Sequence, residues 1–335
     1  MKNILYIGNA LSNKVSTTTV IETLSSHLSA LYQVKVASIK SNKILRLLDM
    51  IKLVVKNRIK ADMVLIDTYS TINFYYALII SQLCRFLNIK YINILHGGNL
   101  ESRLKHSPKL SHLIFNNAYE LVAPSYFLKT VFEKYGYTNV IFIPNSIQIE
   151  NYEFNNRRIT AIKLLWVRSF SSIYNPSLAV LVLEQLLQRN YKAELTMIGP
   201  DTDGSLEKVQ ILANSKKLKV NFTGKLSKKD WLALSKESNI FINTTNLDNT
   251  PVSVIEAMAL GLPIVSTNVG GLPFLITDNE DGILVAPKNV DEMVDAVIKL
   301  KSNEDLRTKL VHNARLKAES FAWKAVKPKW VELLS

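Results

Sequence analysis

Strand-like and helix-like segments alternate along almost the whole chain, and this alternation is the feature that most limits its fold. The pattern runs once through the first half, stops at a polar segment covering 145–160, and then starts again. Alternation of this kind predicts parallel sheets wrapped by helices. The strand candidates are 3–8, 33–39, 62–67, 90–95, 120–123 and 139–144, then 162–168, 193–198, 219–222, 239–243, 263–267 and 282–285. We therefore expect an α/β chain with two domains in succession, followed by a helical tail.

The length and charge of the chain narrow its function. Its 335 residues suffice for two domains, and one cysteine, Cys84, excludes an intramolecular disulfide and fits a reducing compartment. Residues 1–8 are expected to be a strand and not a secretory signal, and the interrupted apolar run 72–89 a buried helix and not a membrane span. The net charge of +13 favours an anionic partner. Because nucleic-acid-binding motifs and zinc-ligand spacing are absent from the sequence, a phosphorylated substrate and an anionic membrane are the better candidates.

The most informative motif lies at 246–267 and places two carboxylates, Asp248 and Glu256, eight positions apart across a helix start. Thr250 is the expected N-cap, Pro251 the first helical residue, and Gly261 the stop. The amides at 252–254 would then be free to bind an anion. Asp248 would lie at the carboxyl edge of the sheet, where α/β proteins bind ligands.

Two other loops of the second half carry chemistry. Arg168 ends a strand, where it could bind a diphosphate through both arms of its guanidinium, although a surface arginine in a loop is the plainer alternative. Asp201 and Asp203 could hold a metal ion. We favour the alternative that they shape a turn and cap the next helix, because proline and glycine flank them.

Two loops of the first half are candidate binding loops. The turn from Gly8 to Asn13 follows the first strand, but its single glycine does not support dinucleotide binding, and an ordinary turn is as good an interpretation as one that lines a substrate site. His96 precedes Gly97 and Gly98 at the end of another strand. These glycines would let the backbone approach a ligand, so we favour binding over a simple turn.

The segment 40–60 carries seven bases against one acid, with apolar residues at helical spacing. A helix of this kind can lie on an anionic membrane, with Lys43, Arg46, Lys52 and Lys56 as the contacts. The alternative, a core-packing helix with a solvated basic face, explains the apolar stripe but not the one-sided charge.

The run from Asp248 to Glu256, followed by Ala-Met-Ala-Leu-Gly-Leu-Pro-Ile-Val, resembles the Glu-x7-Glu signature of retaining glycosyltransferases of the GT-B fold, family 4 type. Other segments agree in order. The segments concerned are Gly8, residues 139–146, Thr223 with Gly224, residues 269–273 and 281–285, and the terminal 321–323 with Trp330. The resemblance implies two Rossmann-like domains that face a cleft. It places the first domain at 1–147, a linker at 148–160, the second domain at 161–315, and a helix at 316–335 that crosses back to the first domain.

The resemblance also assigns roles. Glu256 would bind the donor's ribose and Asp248 would lie near its sugar, with Arg168 on the diphosphate and His96 on the catalytic side of the first domain. The implied donor site comprises Gly199, Thr223, Gly224, Asn249, Thr250, Pro251, Val252, Ser253 and Glu256. The implied acceptor side comprises Gly8, Asn9, His96, Gly97, Gly98 and Asn99. The donor would be a UDP- or GDP-linked sugar, with no cofactor and no metal.

Two departures from the family pattern shape the hypotheses. Asp248 stands where the family usually has glutamate, and 171–176 lack the family's diphosphate-binding lysine. Either the helix amides and Arg168 suffice for the diphosphate, or another base such as Lys225 substitutes. The leading hypothesis is a cytoplasmic glycosyltransferase on the inner face of the membrane, acting on a glycan or lipid-linked acceptor. The alternative is a non-catalytic partner that binds a sugar nucleotide, and a nucleic-acid-binding protein ranks third.

Overall fold

A computed structural model describes residues 1–10 and 19–335 of the chain. They form two units, one made of 1–146 with 326–335 and the other of 147–325. Each unit is an α/β domain whose strands are all parallel. Residues 11–13, the end of the expected Gly8 turn, lie outside the described residues.

The sheet of the first unit has six strands within the described residues, in the order β2-β1-β3-β4-β5-β6. The strands are β1 Asn3–Ile7, β2 Gln33–Ala37, β3 Met63–Thr68, β4 Tyr91–Leu95, β5 Glu120–Ala123 and β6 Val140–Phe142. The helices are α1 Val20–Ser29, α2 Lys43–Asn57, α3 Asn73–Phe86, α4 Leu100–His106, α5 Pro108–Phe115 and α6 Tyr126–Lys134. The central strands β3 and β4 are buried along their whole length, as expected of a parallel sheet covered on both faces.

The sheet of the second unit also has six strands in the part of the chain described, in the order β12-β11-β10-β7-β8-β9. Its strands are β7 Ile162–Val167, β8 Ala193–Ile198, β9 Val220–Gly224, β10 Ile240–Asn243, β11 Ile264–Thr267 and β12 Ile283–Val285. The helices that follow are α7 Pro176–Gln188, α8 Ser205–Ser215, α9 Lys228–Ser235, α10 Val252–Ala259, α11 Leu272–Leu275, α12 Val290–Ser302, α13 Glu304–Glu319 and α14 Trp323–Leu334. Short 3-10 turns lie at Ile149–Asn151 and Ser172–Tyr174.

The strand orders fix where each unit can bind a ligand. In the first sheet the chain changes direction between β1 and β3, and in the second between β7 and β10. Loops that leave a parallel sheet on opposite sides of such a switch point open a crevice at the carboxyl ends of the strands. Gly8 and His96 follow β1 and β4, whereas Arg168 and Asp248 follow β7 and β10.

The predicted fold class, two Rossmann-like α/β domains, is confirmed, and each of the twelve strand candidates corresponds to a strand of the described residues. The segment 148–160, expected as a linker, is counted with the second unit, where Arg157 donates to the carbonyl of Leu260 at 2.6 Å. The last ten residues are counted with the first unit, where the Lys329 ammonium lies 4.8 Å from the centre of the Phe142 ring.

Candidate functional site

The switch point of the second sheet brings together Arg168 and Asp248, eighty residues apart in sequence. Arg168 directly follows β7, and its guanidinium forms an ion pair with the Asp248 carboxylate. The guanidinium also lies 4.2 Å from the centre of the Tyr174 ring. Burial lowers the pKa of Arg168, and the Tyr174 hydroxyl opposes that shift. The Arg168 Nε is buried and has no hydrogen-bond partner within the described residues.

The loop that carries Asp248 is held from behind by two glycines. The amide of Gly271 donates to the carbonyl of Asp248 at 2.9 Å, and a Cβ on Gly270 would collide with that same carbonyl oxygen. A Cβ on Gly271 would collide with the carbonyl of Asn249. Only glycine permits this approach, which explains the Gly-Gly pair physically. Asp248 Oδ1 also accepts from the Asn249 amide at 2.9 Å, so its carboxylate orientation is fixed.

Three residues predicted for the donor site lie behind Arg168 or beside it in the sheet. A Cβ on Gly199 would collide with the Arg168 carbonyl, so this glycine supports the arginine loop. The amide of Gly199 donates to the Gly224 carbonyl at 2.9 Å. The Thr223 hydroxyl donates to the same carbonyl at 2.9 Å. The described contacts of these three residues are therefore structural.

The helix start differs from the prediction by one residue. Pro251 has extended backbone angles, φ −69° and ψ 117°, and is the N-cap, so α10 begins at Val252 and Thr250 does not cap it. The amide of Val254 is bonded to the Pro251 carbonyl at 3.1 Å, which corrects the expectation of three free amides. Within the described residues the amides of Val252 and Ser253 donate to no partner, and the buried Ser253 hydroxyl has none either. These donors form the anion-binding end of the helix.

One turn further along α10, Glu256 is held by two residues that the sequence reasoning missed. Its Oε1 accepts a hydrogen bond of 2.7 Å from the Tyr152 hydroxyl and forms an ion pair with Lys228. The signal for Lys228 was its place at the start of a helix facing the same sheet edge. Tyr152 gave no signal, because it lies in a segment interpreted as a linker. Lys225, considered as a substitute for the missing lysine, is exposed.

The two aspartates after β8 serve the turn, as the favoured interpretation predicted. Asp203 accepts from the amide of Ser172 at 2.9 Å and from that of Ser205 at 3.2 Å. Asp203 also accepts from the hydroxyl of Ser205, and this bond contributes most to its pKa shift. Together with the amide bonds it holds the pKa of Asp203 well below its usual range. Asp201 accepts from the amide of Gly204 at 3.1 Å. The described residues contain no cluster of three or more His, Cys, Asp or Glu side chains arranged to hold a metal ion.

In the first unit, His96 is paired with Asp67, a buried acid at the end of β3 that the sequence reasoning did not select. His96 Nε2 and Asp67 Oδ1 are 2.8 Å apart, and the Tyr6 hydroxyl donates to the same oxygen at 3.0 Å. Tyr69 stacks on the imidazole with ring centres 4.6 Å apart. A Cβ on Gly8 would contact the Asp67 carboxylate, so the first glycine turn packs against this pair. The pairing fixes Nε2 toward Asp67 and leaves Nδ1 for other partners.

The remaining acceptor-side candidates form a polar border. Asn9 donates to Asn73 Oδ1 at 3.1 Å and accepts from Arg46 at 3.2 Å. Gly97 has a φ of +76°, which favours glycine, and Asn99 is the N-cap of α4. Between them, Gly98 is partly exposed.

The basic helix is α2, and the structure corrects one of its four predicted membrane contacts. Lys43, Lys52 and Lys56 are exposed. Arg46 is only 7% exposed, and its guanidinium donates to the carbonyls of Lys40 and Ser41 and to Asn9. Arg46 is therefore a structural residue, because a guanidinium engaged on three acceptors is not available to lipid.

Among the described residues, no helix combines the length and the apolar character that crossing a bilayer requires.

Comparison with known proteins agrees with the fold. The model of the family described as glycosyl transferases group 1 matches residues 148–317. A D-inositol 3-phosphate glycosyltransferase of Corynebacterium jeikeium is 25% identical over 167 residues, 48% of this chain and 40% of that protein. The capsular polysaccharide biosynthesis glycosyltransferase CapM of Staphylococcus aureus is 26% identical over 136 residues, 40% of this chain and 35% of that protein. The matches thus span less than half the length of these curated relatives.

Two solved structures resemble the whole chain. HepE of Anabaena, solved with UDP and glucose, has a TM-score of 0.77 at 15% identity and covers 100% of this chain and 99% of its own. A sucrose-phosphate synthase of Thermosynechococcus elongatus has a TM-score of 0.82 at 15% identity, and the match covers 99% of this chain and 98% of that protein. At such low identity the likeness concerns the fold alone, and the fold is that of GT-B glycosyltransferases.

Proposed function

Because the chain belongs to the glycosyl transferases group 1 family, we propose that it transfers a sugar from a UDP- or GDP-linked donor to a glycan or lipid-linked acceptor, with retention of configuration. The observation that carries this proposal is the group of donors at the second switch point. Arg168 and the amides of Val252 and Ser253 can bind an anion there, while Asp248 and Glu256 offer acceptors for hydroxyl groups. A nucleoside diphosphate sugar supplies both kinds of group.

The chemistry needs stabilisation of the leaving group. The bond between the anomeric carbon and the diphosphate oxygen breaks while the acceptor's hydroxyl oxygen bonds to that carbon from the same face, and the leaving diphosphate oxygen takes up the hydroxyl proton. As the first bond breaks, negative charge grows on the diphosphate. Arg168 and the two helix amides interact more strongly with that charge in the transition state than in the bound donor, which lowers the barrier. We assign no protein nucleophile. The Asp248 and Glu256 carboxylates position the ligand in this scheme and do not transfer protons.

We propose that the reaction uses no metal ion and no cofactor, because the positive charge for the diphosphate comes from the protein. Asp201 and Asp203 do not argue against this, since their oxygens serve the turn after β8. Transfer should be unchanged when EDTA is added. Loss of transfer on chelation, with recovery on adding Mg²⁺ or Mn²⁺, would contradict it.

The experiment for the donor is a panel of UDP- and GDP-linked sugars, read by thermal shift and then by release of the nucleoside diphosphate. Glu256→Ala should abolish transfer while the protein keeps its circular dichroism spectrum, and unchanged activity would refute the site assignment. For a donor with an α-linked sugar, NMR of the product should show an α linkage. A β-linked product would refute retention.

A second candidate function is that of a non-catalytic partner that binds a sugar nucleotide. It is favoured by the ion pair of Arg168 with Asp248, which neutralises the cation of the site, and by the absence of lysine from 171–176. Both functions predict that a nucleoside diphosphate raises the melting temperature. Stabilisation without turnover across the donor panel, with glycan and lipid-linked acceptors present, would favour the binding partner.

We further propose that α2 holds the protein on the inner, anionic face of the cell membrane, where lipid-linked acceptors for cell-surface polysaccharides are found. Three apolar side chains are exposed beside its lysines: Ile44 at 72%, Leu45 at 56% and Leu48 at 54%. A basic helix that exposes apolar residues gains from acyl chains and from lipid charge together. The similarity to CapM supports a role in polysaccharide synthesis.

The membrane proposal predicts the effect of charge reversal. Changing Lys43, Lys52 and Lys56 to Glu should weaken binding to phosphatidylglycerol vesicles by about 100-fold at low salt, because each base near the surface contributes about 1 kcal/mol. The matched control reverses three exposed lysines of the second unit, Lys208, Lys229 and Lys309. An equal loss in both variants, measured by vesicle sedimentation, would assign the effect to net charge and contradict a contact through α2.

A further inference from the structure

Glu256 is held by one oxygen only. Its Oε1 accepts the Tyr152 hydroxyl at 2.7 Å and pairs with the Lys228 ammonium. Its Oε2 accepts no hydrogen bond from the described residues, and the side chain is 13% exposed. A carboxylate has about four acceptor positions, so two donors on one oxygen leave the other oxygen free for a ligand.

Tyr152 is fixed by the backbone around it. The residue is 5% exposed, and its carbonyl accepts from Arg315 at 2.8 Å. Arg315 also donates to the carbonyl of Ala259, the last residue of α10, at 2.6 Å. One arginine therefore ties Tyr152 to the same helix that carries Glu256. The phenol hydroxyl consequently has a set position relative to the carboxylate, and its pKa is raised by burial and by Glu256.

Lys228 is fixed in a different way. It is the first residue of α9, and its ammonium lies 4.8 Å from the centre of the Tyr152 ring and 4.9 Å from that of Trp231. Both rings attract a cation placed over their faces. Trp231 is 6% exposed and belongs to the apolar core, so it cannot move away. The Lys228 side chain is 45% exposed; the partial burial of its ammonium lowers its pKa, and the Glu256 carboxylate opposes that shift.

We propose that Tyr152 and Lys228 are positioning residues that hold Glu256 so that its free oxygen accepts a ribose hydroxyl of the bound nucleotide. This inference rests on the proposed function, in which Glu256 contacts the donor's ribose. A free glutamate side chain rotates about three bonds, and ordering it on binding would weaken affinity. Two fixed donors on Oε1 remove that rotation before the ligand arrives.

The test separates ribose recognition from general stability. The variants are Tyr152→Phe, which removes only the hydroxyl, and Lys228→Met, which keeps most of the side-chain stem. Lys229→Met, at an exposed neighbour on the same helix, is the matched control. Isothermal titration measures binding of UDP and 2′-deoxy-UDP and of UDP and 3′-deoxy-UDP, with GDP and its deoxy forms as a second set. The readout is the ratio of the dissociation constants of deoxy and ribo nucleotides.

The wild type should bind UDP, GDP or both about tenfold more tightly than their deoxy forms, the value expected for a hydrogen bond to a charged group. In Tyr152→Phe and Lys228→Met this preference should fall to about twofold, while Lys229→Met keeps it. An unchanged ratio in both variants overturns the inference, even if their melting temperatures fall. UMP is titrated alongside UDP; a loss of affinity in the Lys228 variant that is larger for UDP than for UMP, with an unchanged deoxy ratio, also overturns the inference, since Lys228 then acts on the diphosphate. A wild type that binds none of these nucleotides overturns the proposed function, and this inference with it.

Discussion

Asp248→Asn is expected to move nucleotide binding and sugar transfer in opposite directions. In the structure the carboxylate occupies Arg168, which the proposed function assigns to the diphosphate. The nucleotide must therefore displace Asp248 before it can use this cation. Asparagine has the same shape and can still accept from the Asn249 amide, so the loop should keep its conformation. The substitution removes the competing charge without removing the scaffold.

The size of the effect follows from the burial of the pair. The Arg168 and Asp248 side chains are 19% and 13% exposed, which places the pair between a surface ion pair and a buried one. We take about 1 kcal/mol for the cost of separating it, the upper end for exposed pairs. The variant should therefore bind UDP about fivefold more tightly than the wild type. Transfer from the matching UDP-sugar should slow by about tenfold or more, because the sugar loses a charged acceptor.

Titration calorimetry with UDP and steady-state transfer assays measure the two quantities. Glu237→Gln, at an exposed acid of the same unit, controls for the change in net charge. The gain in UDP affinity should shrink as salt is raised, because screening weakens the ion pair that competes with the nucleotide. Weaker binding of UDP by Asp248→Asn than by the wild type would refute the reasoning. In that case Asp248 would be holding Arg168 in its binding position instead of competing with the ligand.

Two further predictions concern the supports of the two units. The hydrogen bonds on Asp203 hold its pKa well below the ordinary value, so the stability they contribute is complete above about pH 4 and is lost as the pH falls below that. The melting temperature of the wild type should therefore fall more steeply on acidification than that of Asp203→Asn. Parallel pH profiles of the two melting temperatures would contradict this prediction. In the first unit, Gly8→Ala would press a methyl group against the Asp67 carboxylate and the Ile21 side chain. Overpacking of this kind costs about 1–3 kcal/mol, so urea unfolding should show a decrease of that size in the free energy of unfolding. An unchanged urea midpoint would show that the turn can move aside.

Much of the fold could be predicted because parallel α/β units have recognisable local sequence patterns. Most strands of the two sheets are short apolar runs, and such a run is visible without knowledge of distant residues. The positions of Arg168 and His96 followed from the same rule, since a polar residue directly after a strand lies at the carboxyl edge of the sheet. Gly270 and Gly271 were visible as a pair, although their reason, the close approach of the Asp248 loop, needed coordinates.

The partners of the site residues could not be predicted because they come from distant parts of the chain. Asp67 lies near the end of a buried strand, where the sequence pattern assigned it no role beyond ending the strand. Only the register of β3 beside β4 brings it to His96. Tyr152 is about a hundred positions from Glu256 and lies in a polar segment without periodicity. The prediction that Arg46 contacts a membrane was wrong for a related reason. Helical periodicity placed it on the basic side of α2, but the loop around Ser41 folds over its guanidinium.

The partners also change how the net charge should be understood. The +13 surplus favoured an anionic partner, yet at the donor site the two acids are matched by two bases, Asp248 by Arg168 and Glu256 by Lys228. These four residues contribute no net charge, so an incoming diphosphate gains little from the surplus unless a pair opens. Affinity for the nucleotide must come from exchange of partners and from the amides of α10, which carry no formal charge. The surplus acts elsewhere, on exposed surfaces such as the lysines of α2, where added salt weakens its effect.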